Sequence, residues 1–205
     1  HGINWGFNSG SEAFNSLPAG QTLVLTYTVR ATDTDGASDT QNVTITITGT
    51  NDAPRAVANT ASVTEDAADQ SGLNDGNALT TRVGGNVLTN DTDVDFGDTR
   101  NVTGVAAGTP PSASGNVGAS VTGIYGSVTI AADGSYVYSL NNALPAVQAL
   151  ARGQSVFDTF TYTITDSQGA TSTTTLRVTV GGTNDRPDIT VGLGDRDAAS
   201  LAETN

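Results

Sequence analysis

A tandem array of all-β sandwich domains is the fold class predicted for this 205-residue chain, and three observations predict it. One segment occurs twice, as TYTVRATDTDGASDTQNVTITITGTNDAP (Thr26 to Pro54) and as TYTITDSQGATSTTTLRVTVGGTNDRP (Thr161 to Pro187). Gly36 aligns with Gly169 and Asn51 with Asn184 at one constant offset, the mark of a repeat architecture. Within both copies apolar and polar residues alternate, which is the period of a half-buried strand. Cysteine is absent, so a chain rich in Thr, Gly and Asp has sheet packing and no disulfide to hold it together.

Taken in order, the first elements are a hairpin. Leu25, Tyr27 and Val29 alternate on one strand and Val43, Ile45 and Ile47 on the next, joined by DTDGASD, where Asp and Gly suit tight or positive-φ backbone. The same hairpin returns as Phe160, Tyr162, Ile164 and Leu176, Val178, Val180 around DSQGA. The complete copy reads as seven strands, near 56–64, 83–88, 100–106, 122–131, 135–140, 156–165 and 171–182. The helical candidate is Pro145 to Ala151, with a counterpart at Ser11 to Ser16. Seven short strands separated by turn signals describe an immunoglobulin-like or cadherin-like sandwich.

The phase of the repeats divides the chain. Residues 1–52 read as the closing part of one repeat, 53–187 as a complete one and 188–205 as the first-strand region of the next. DAASLAETN (Asp197 to Asn205) echoes TASVTEDA (Thr60 to Ala67), with Glu203 opposite Glu65. With an abrupt start at His1 and no signal peptide, the expectation is a section of a longer polypeptide. Pro54 and Pro187 end strand pairing in the linkers by removing an N–H donor.

Charge narrows the partners. Eight basic residues, all arginine, against 21 acidic ones leave a formal net charge of −13, which disfavours nucleic acid and anionic membranes and favours cations. No apolar run approaches the ~20 residues of a membrane helix, so no membrane insertion is expected. Lysine is absent too, which excludes Schiff bases and lysine isopeptide cross-links within this segment. The sole imidazole is the terminal His1, so a Ser-His-Asp triad has no base and the chain is not expected to be an enzyme.

Strand parity places the acidic clusters, because alternating strands send every second turn to the same pole. The loop NDTDVDFGD (Asn90 to Asp98) and the tips at Asp133 and Asp166 fall at the entry pole beside the linker Asn51, Asp52. Glu65 and Asp66 fall at the exit pole beside Asn184 and Asp185. Asp91, Asp93 and Asp95, at alternate positions, are expected to project together and to need a counter-ion. Ca2+, which takes 6 to 8 oxygens in tolerant geometry, is the cofactor this implies. Asp98 and Asp166 join the candidate ligands, as do Asp33 and Asp35 of the first hairpin. An EF-hand is excluded, since the sixth position from Asp91 is Phe96 and the twelfth Val102.

GQTLVLTYTVRATDTDGASDTQNVTITITGTNDAP resembles the closing portion of VCBS repeats, and WGFNSGSEAFNSL resembles the segment before it. The complete copy, with GNVLTNDTDVD, ADGSYVYS and FTYTITDSQGATST, is similar to bacterial cadherin-like repeats, and GLGDRDAASLAETN resembles a VCBS opening. The resemblance implies calcium-rigidified stalk modules of large extracellular adhesins and biofilm proteins of Gram-negative bacteria, commonly exported by type I secretion. It further implies that Asn51, Asp52, Asp91 and Asp93 serve one junction and Glu65, Asn184 and Asp185 the other, with Asp95 and Asp98 as additions to the family pattern. Partners are then neighbouring repeats or copies of the chain. Two alternatives stand beside this reading: a processed filament subunit polymerising head to tail by strand exchange, and a calcium-dependent lectin binding surface glycans through Trp5, Tyr125, Tyr136 or Tyr138.

Overall fold

The structure is a computed structural model that describes residues 5–10, 14–65 and 81–184. Its elements in chain order are β1 (Thr22–Thr32), β2 (Ser38–Thr48), β3 (Asn59–Thr64), β4 (Arg82–Asn86), β5 (Asn101–Ala107), β6 (Ser120–Thr122), β7 (Gly126–Ile130), β8 (Ser135–Leu140), α1 (Pro145–Gln148), β9 (Ser155–Thr165) and β10 (Thr171–Gly181). The described residues form a two-stranded sheet, β1-β2, and two four-stranded sheets, β3-β10-β9-β5 and β4-β8-β7-β6. The fold is thus an all-β sandwich preceded by a hairpin.

Alternation along the strands builds the core. Phe160, Tyr162 and Ile164 of β9 and Leu176, Val178 and Val180 of β10 point inward and are fully buried against Val128, Ile130 and Tyr138 of the facing sheet. Tyr138 meets Phe160 edge-on, with ring centroids 6.0 Å apart, and so joins the two sheets at their centre. α1 is a single turn opened by Pro145, whose missing N–H costs nothing at a helix start, and it drops Val147 into the same core.

The strand expected at 122–131 is interrupted. β6 and β7 form a hairpin, Val121 opposite Val128, and residues 123–125 turn between them. The cause is Asp158 of β9, which accepts the N–H groups of Ile124, Tyr125 and Gly126 and bends the chain around its carboxylate. Gly123 is required there, since a Cβ would lie 2.7 Å from Asp158 Oδ2. Of the helical counterpart at Ser11 to Ser16, residues 11–13 lie outside the described residues, and Phe14 to Leu17 make one turn closed by Leu17 N–H on the Phe14 carbonyl.

β3 runs parallel to β10, from Asn59 opposite Leu176 to Thr64 opposite Gly181. The chain therefore enters the sandwich at one pole and leaves at the other. The loop before β5, the β7–β8 turn and the β9–β10 turn gather at the entry pole, tied by Val102 N–H on the Ala132 carbonyl and Ser167 N–H on Asp98. A crossover after β5 folds over the outer face of its sheet. There Thr161 donates to the Gly108 carbonyl and Thr163 accepts from Ala113 N–H, which buries two threonines on the solvent side.

The two copies of the hairpin differ in cover. Tyr27 and Val29 of β1 hold the positions of Phe160 and Tyr162 but are 50% and 38% exposed, where their counterparts are 0% exposed. The pairing within each hairpin is the same, Tyr27 opposite Val43 and Phe160 opposite Leu176. What β1-β2 lacks, among the described residues, is the facing sheet.

Candidate metal centre

Three segments meet at the entry pole, and backbone hydrogen bonds set them in place first. Arg55 and Thr92 exchange both N–H···O bonds, at 2.7 and 3.1 Å, so the linker is pinned to the acidic loop as a short antiparallel bridge. From there the loop does not stay extended. It bends at Val94 and Asp95 and turns through Phe96 and Gly97, whose φ of 82° is open to glycine at little cost. The bend carries Asp95 and Asp98 back toward Asp93.

As a result the carboxylates of Asp93, Asp95 and Asp98 have oxygens within 4.8 Å of one another. Asp95 is only 4% exposed. Its Oδ2 accepts Asp52 N–H at 2.8 Å, while its own N–H donates to Asp93 Oδ1 at 2.9 Å. Asn51 enters from the linker, with Nδ2 donating to Asp166 Oδ2 at 2.8 Å and to the Asp52 carbonyl at 3.0 Å. Asp166 Oδ1 accepts the N–H groups of Gln168 and Ala170, which closes the β9–β10 turn. Asn51, Asp95 and Asp98 line one cavity of about 100 Å3, together with Pro18 and Ala19 from the hairpin side.

Three buried oxygens in this group have no hydrogen-bond donor: Asn51 Oδ1, Asp93 Oδ2 and Asp95 Oδ1. Buried acceptors are nearly always satisfied, and leaving one bare costs about 1–3 kcal/mol, more when it is charged. Asp98 adds a carboxylate that is ionised to low pH, because a hydrogen bond from the Ser167 side chain holds its pKa below the ordinary 3.8. The donor set is all oxygen, carboxylate and amide, with no nitrogen or sulfur, and so fits a hard cation of the Ca2+ type.

Asp91 takes a different place from the one its spacing suggested. The expected alternation of Asp91, Asp93 and Asp95 fails because the segment bends after Thr92. Asp91 stays inside the sandwich, 3% exposed, where Oδ1 accepts Val57 N–H at 2.7 Å and Oδ2 faces the Tyr162 hydroxyl at 3.4 Å. Burial pushes its carboxyl up from the usual range, against the pull of those two donors and of Arg100. It braces the linker; both its oxygens already have partners.

The remaining candidates scatter. Asp33 and Asp35 lie at the exposed tip between β1 and β2, where Asp33 Oδ1 accepts Asp35 and Ala37 N–H, the same turn that Asp166 makes in the second copy. Asp133 caps the β7–β8 turn through Ser135. At the exit pole Glu65 is fully buried and its Oε1 accepts Thr183 N–H at 2.7 Å, with Asn184 exposed just beyond. Asp66 and Asp185 lie outside the described residues. Of the aromatic candidates for a sugar platform, Tyr136 and Tyr138 are buried and Tyr125 packs against the core, whereas Trp5 is exposed.

Asp158 was missed by sequence reasoning. The signal was present: it occupies an inward position of β9, two residues before Phe160, where alternation calls for an apolar side chain and the first copy has Leu25. A charge there needs several donors, and it has the Tyr138 hydroxyl at 2.7 Å besides the three amides.

A family model described as the bacterial cadherin-like domain matches residues 51–182. Among solved structures the chain is similar to mouse protocadherin-24 EC1-3, at 19% identity over 78% of this chain and 45% of that one, with a TM-score of 0.34. It is also similar to the endo-fucoidan hydrolase MfFcnA9 of glycoside hydrolase family 107, at 14% identity over 77% of this chain and 22% of that one, with a TM-score of 0.28. The chain spans less than half the length of either structure. No curated protein sequence matches it.

Proposed function

The chain belongs to the bacterial cadherin-like domain family, and from that premise we propose that it is a calcium-binding extracellular repeat segment, giving mechanical extension or assembly in a bacterial surface adhesin or biofilm protein. The observation that carries this reading is the trio of unsatisfied buried oxygens, Asn51 Oδ1, Asp93 Oδ2 and Asp95 Oδ1, at the point where linker, loop and turn converge. Ca2+ supplies the positive charge that this group lacks. Asp93, Asp95 and Asp98 hold it from the loop and Asn51 from the linker. Because Asn51 also ties the linker to Asp166, an ion here stiffens the junction between the hairpin and the sandwich.

The domain limits belong to this reading: 1–52 as the end of a VCBS-like repeat, 53–187 as the cadherin-like repeat, and 188–205 as the start of the next. Neighbouring repeats or further copies are its partners, and the setting is outside the cell. No helix among the described residues is long and apolar enough to cross a membrane. The family's role is adhesion, and no catalytic role is assigned to the carboxylates.

Thermal melting with calcium and with a chelator tests the proposal. An ion that binds only the folded chain adds about 2.7 kcal/mol at a hundred times its dissociation constant, which raises the melting temperature by several degrees. Coincident melts, with no metal found by elemental analysis, overturn it.

A further inference from the structure

We propose that a cleft on the outer face of the β4-β8-β7-β6 sheet binds a neutral saccharide, independently of calcium. The cleft has a volume of about 400 Å3, the size of a small-ligand site. It lies between the 123–126 turn and the chain from Asn141 to Leu144. All of its lining falls within residues 122–144 of the sandwich, and it uses none of the entry-pole carboxylates.

Strand pairing lays the floor. Thr122 of β6 stands opposite Ser127 of β7, and Ser127 stands opposite Ser139 of β8. Val128, Tyr138 and Leu140 beside them are buried in the core, so alternation turns the three hydroxyls outward in one row, ~4.8 Å from strand to strand. None of these hydroxyls, nor the side-chain amide of Asn141, has a hydrogen-bond partner among the described residues. Hydroxyl and amide groups both donate and accept, which suits the hydroxyls of a sugar. Ile124, 72% exposed, and Leu144 add apolar surface for the C–H face of a pyranose ring.

The walls are fixed by a group that the sandwich does not need for its own packing. A carboxylate inside a core is costly unless it is fully bonded, and Asp158 meets that condition by taking the amides of Ile124, Tyr125 and Gly126 and the Tyr138 hydroxyl. The turn it clamps is the one that presents Ile124 to the cleft. Asn141 N–H donates to the Tyr125 carbonyl at 2.9 Å and joins the two walls, while a Cβ at Gly126 would overlap the Ser139 carbonyl. Groups held in place before a ligand arrives lose less freedom when it binds. No lining residue is charged, and a formal net charge of −13 repels anions, so the geometry fits a neutral sugar and not a uronate or a sulfated one.

Amide-resolved NMR titration of the 205-residue chain, in calcium and in chelator, tests it. The probes are cellotetraose, maltotetraose, mannotetraose and laminaritetraose, with tetragalacturonate as the anionic control. At least one neutral probe should shift the amides of residues 122–127 and 139–144, alike in both conditions, and tetragalacturonate should not. Ser127→Val and Ser139→Val, which suit a strand, should each weaken binding about fivefold, the loss of one hydrogen bond. Ser139→Thr keeps the hydroxyl and should retain the affinity. Asp93→Ala should leave it unchanged, which separates this cleft from the metal centre. Absence of shifts with every neutral probe overturns the proposal, as do shifts confined to other residues, equal binding of tetragalacturonate, binding lost in chelator by a chain still folded, or affinity indifferent to both valine variants.

Discussion

Asn51 and Asp166 are 115 residues apart in sequence and 2.8 Å apart in the fold, the amide Nδ2 of one donating to Oδ2 of the other. The other oxygen of Asp166 closes the β9–β10 turn, so one carboxylate fixes the linker to the last hairpin of the domain it introduces. With Nδ2 committed, Asn51 keeps its Oδ1 free of donors and buried.

From this pair follows a coupling that does not depend on metal. In chelator, Asn51→Ala and Asp166→Ala should each destabilise the sandwich, and the double variant should cost less than the sum by about 1 kcal/mol. A double-mutant cycle by urea denaturation measures it, and strict additivity would deny the contact any energetic role.

Calcium affinity separates the acidic residues by position. Asp93→Ala and Asp95→Ala should lower it at least tenfold in calorimetric titration, equivalent to about 1.4 kcal/mol or more. Asp33→Ala, at the exposed tip of the first hairpin, should leave it unchanged. Asp91→Ala should instead lower stability with and without calcium, since it leaves Val57 N–H without its acceptor.

Asp158 holds a turn together from inside the core. Asp158→Ala strands the Tyr138 hydroxyl and the amides of Ile124, Tyr125 and Gly126, a loss of about 3 kcal/mol or more at 1–3 kcal/mol for each buried unsatisfied group. Equilibrium unfolding reads the loss, and exchange of those three amides should quicken most. Unchanged protection of the 123–126 turn would refute the clamp.

Alkaline pH should unfold the domain through its buried tyrosines. Burial pushes the Tyr138 and Tyr162 hydroxyls well above the ordinary 10, with the neighbouring carboxylates of Asp158 and Asp91 adding to the shift. Above pH 10 the unfolded chain releases these protons and the folded chain keeps them. Stability present below pH 10 is therefore lost as pH rises past it, by about 1.4 kcal/mol per unit for each tyrosine. Phenolate absorbance should appear together with loss of structure, and phenolate formation by both residues in a still-folded domain contradicts this.

Much of the fold was legible because strand periodicity and the repeat are local signals. Phe160, Tyr162 and Ile164 announce an inward face by their spacing, and Gly36 and Gly169 mark equivalent turns. The split of 122–131 was not legible. It depends on a carboxylate more than thirty residues further along, and no local pattern around Gly123 records the position of Asp158.

The candidate site divides along the same line. From the sequence alone come the repeat, the all-β class, the surplus of negative charge and the acidic residues of Asn90 to Asp98, since composition and alternation are properties of the chain itself. Tertiary structure alone decided which carboxylates act together. The bridge between Arg55 and Thr92 bends the loop, sends Asp91 inward to Tyr162, and turns Asp95 and Asp98 back onto Asp93 beside Asn51. Spacing sets where a side chain could point along an ideal strand; the backbone hydrogen bonds of a distant segment decide where that strand ends.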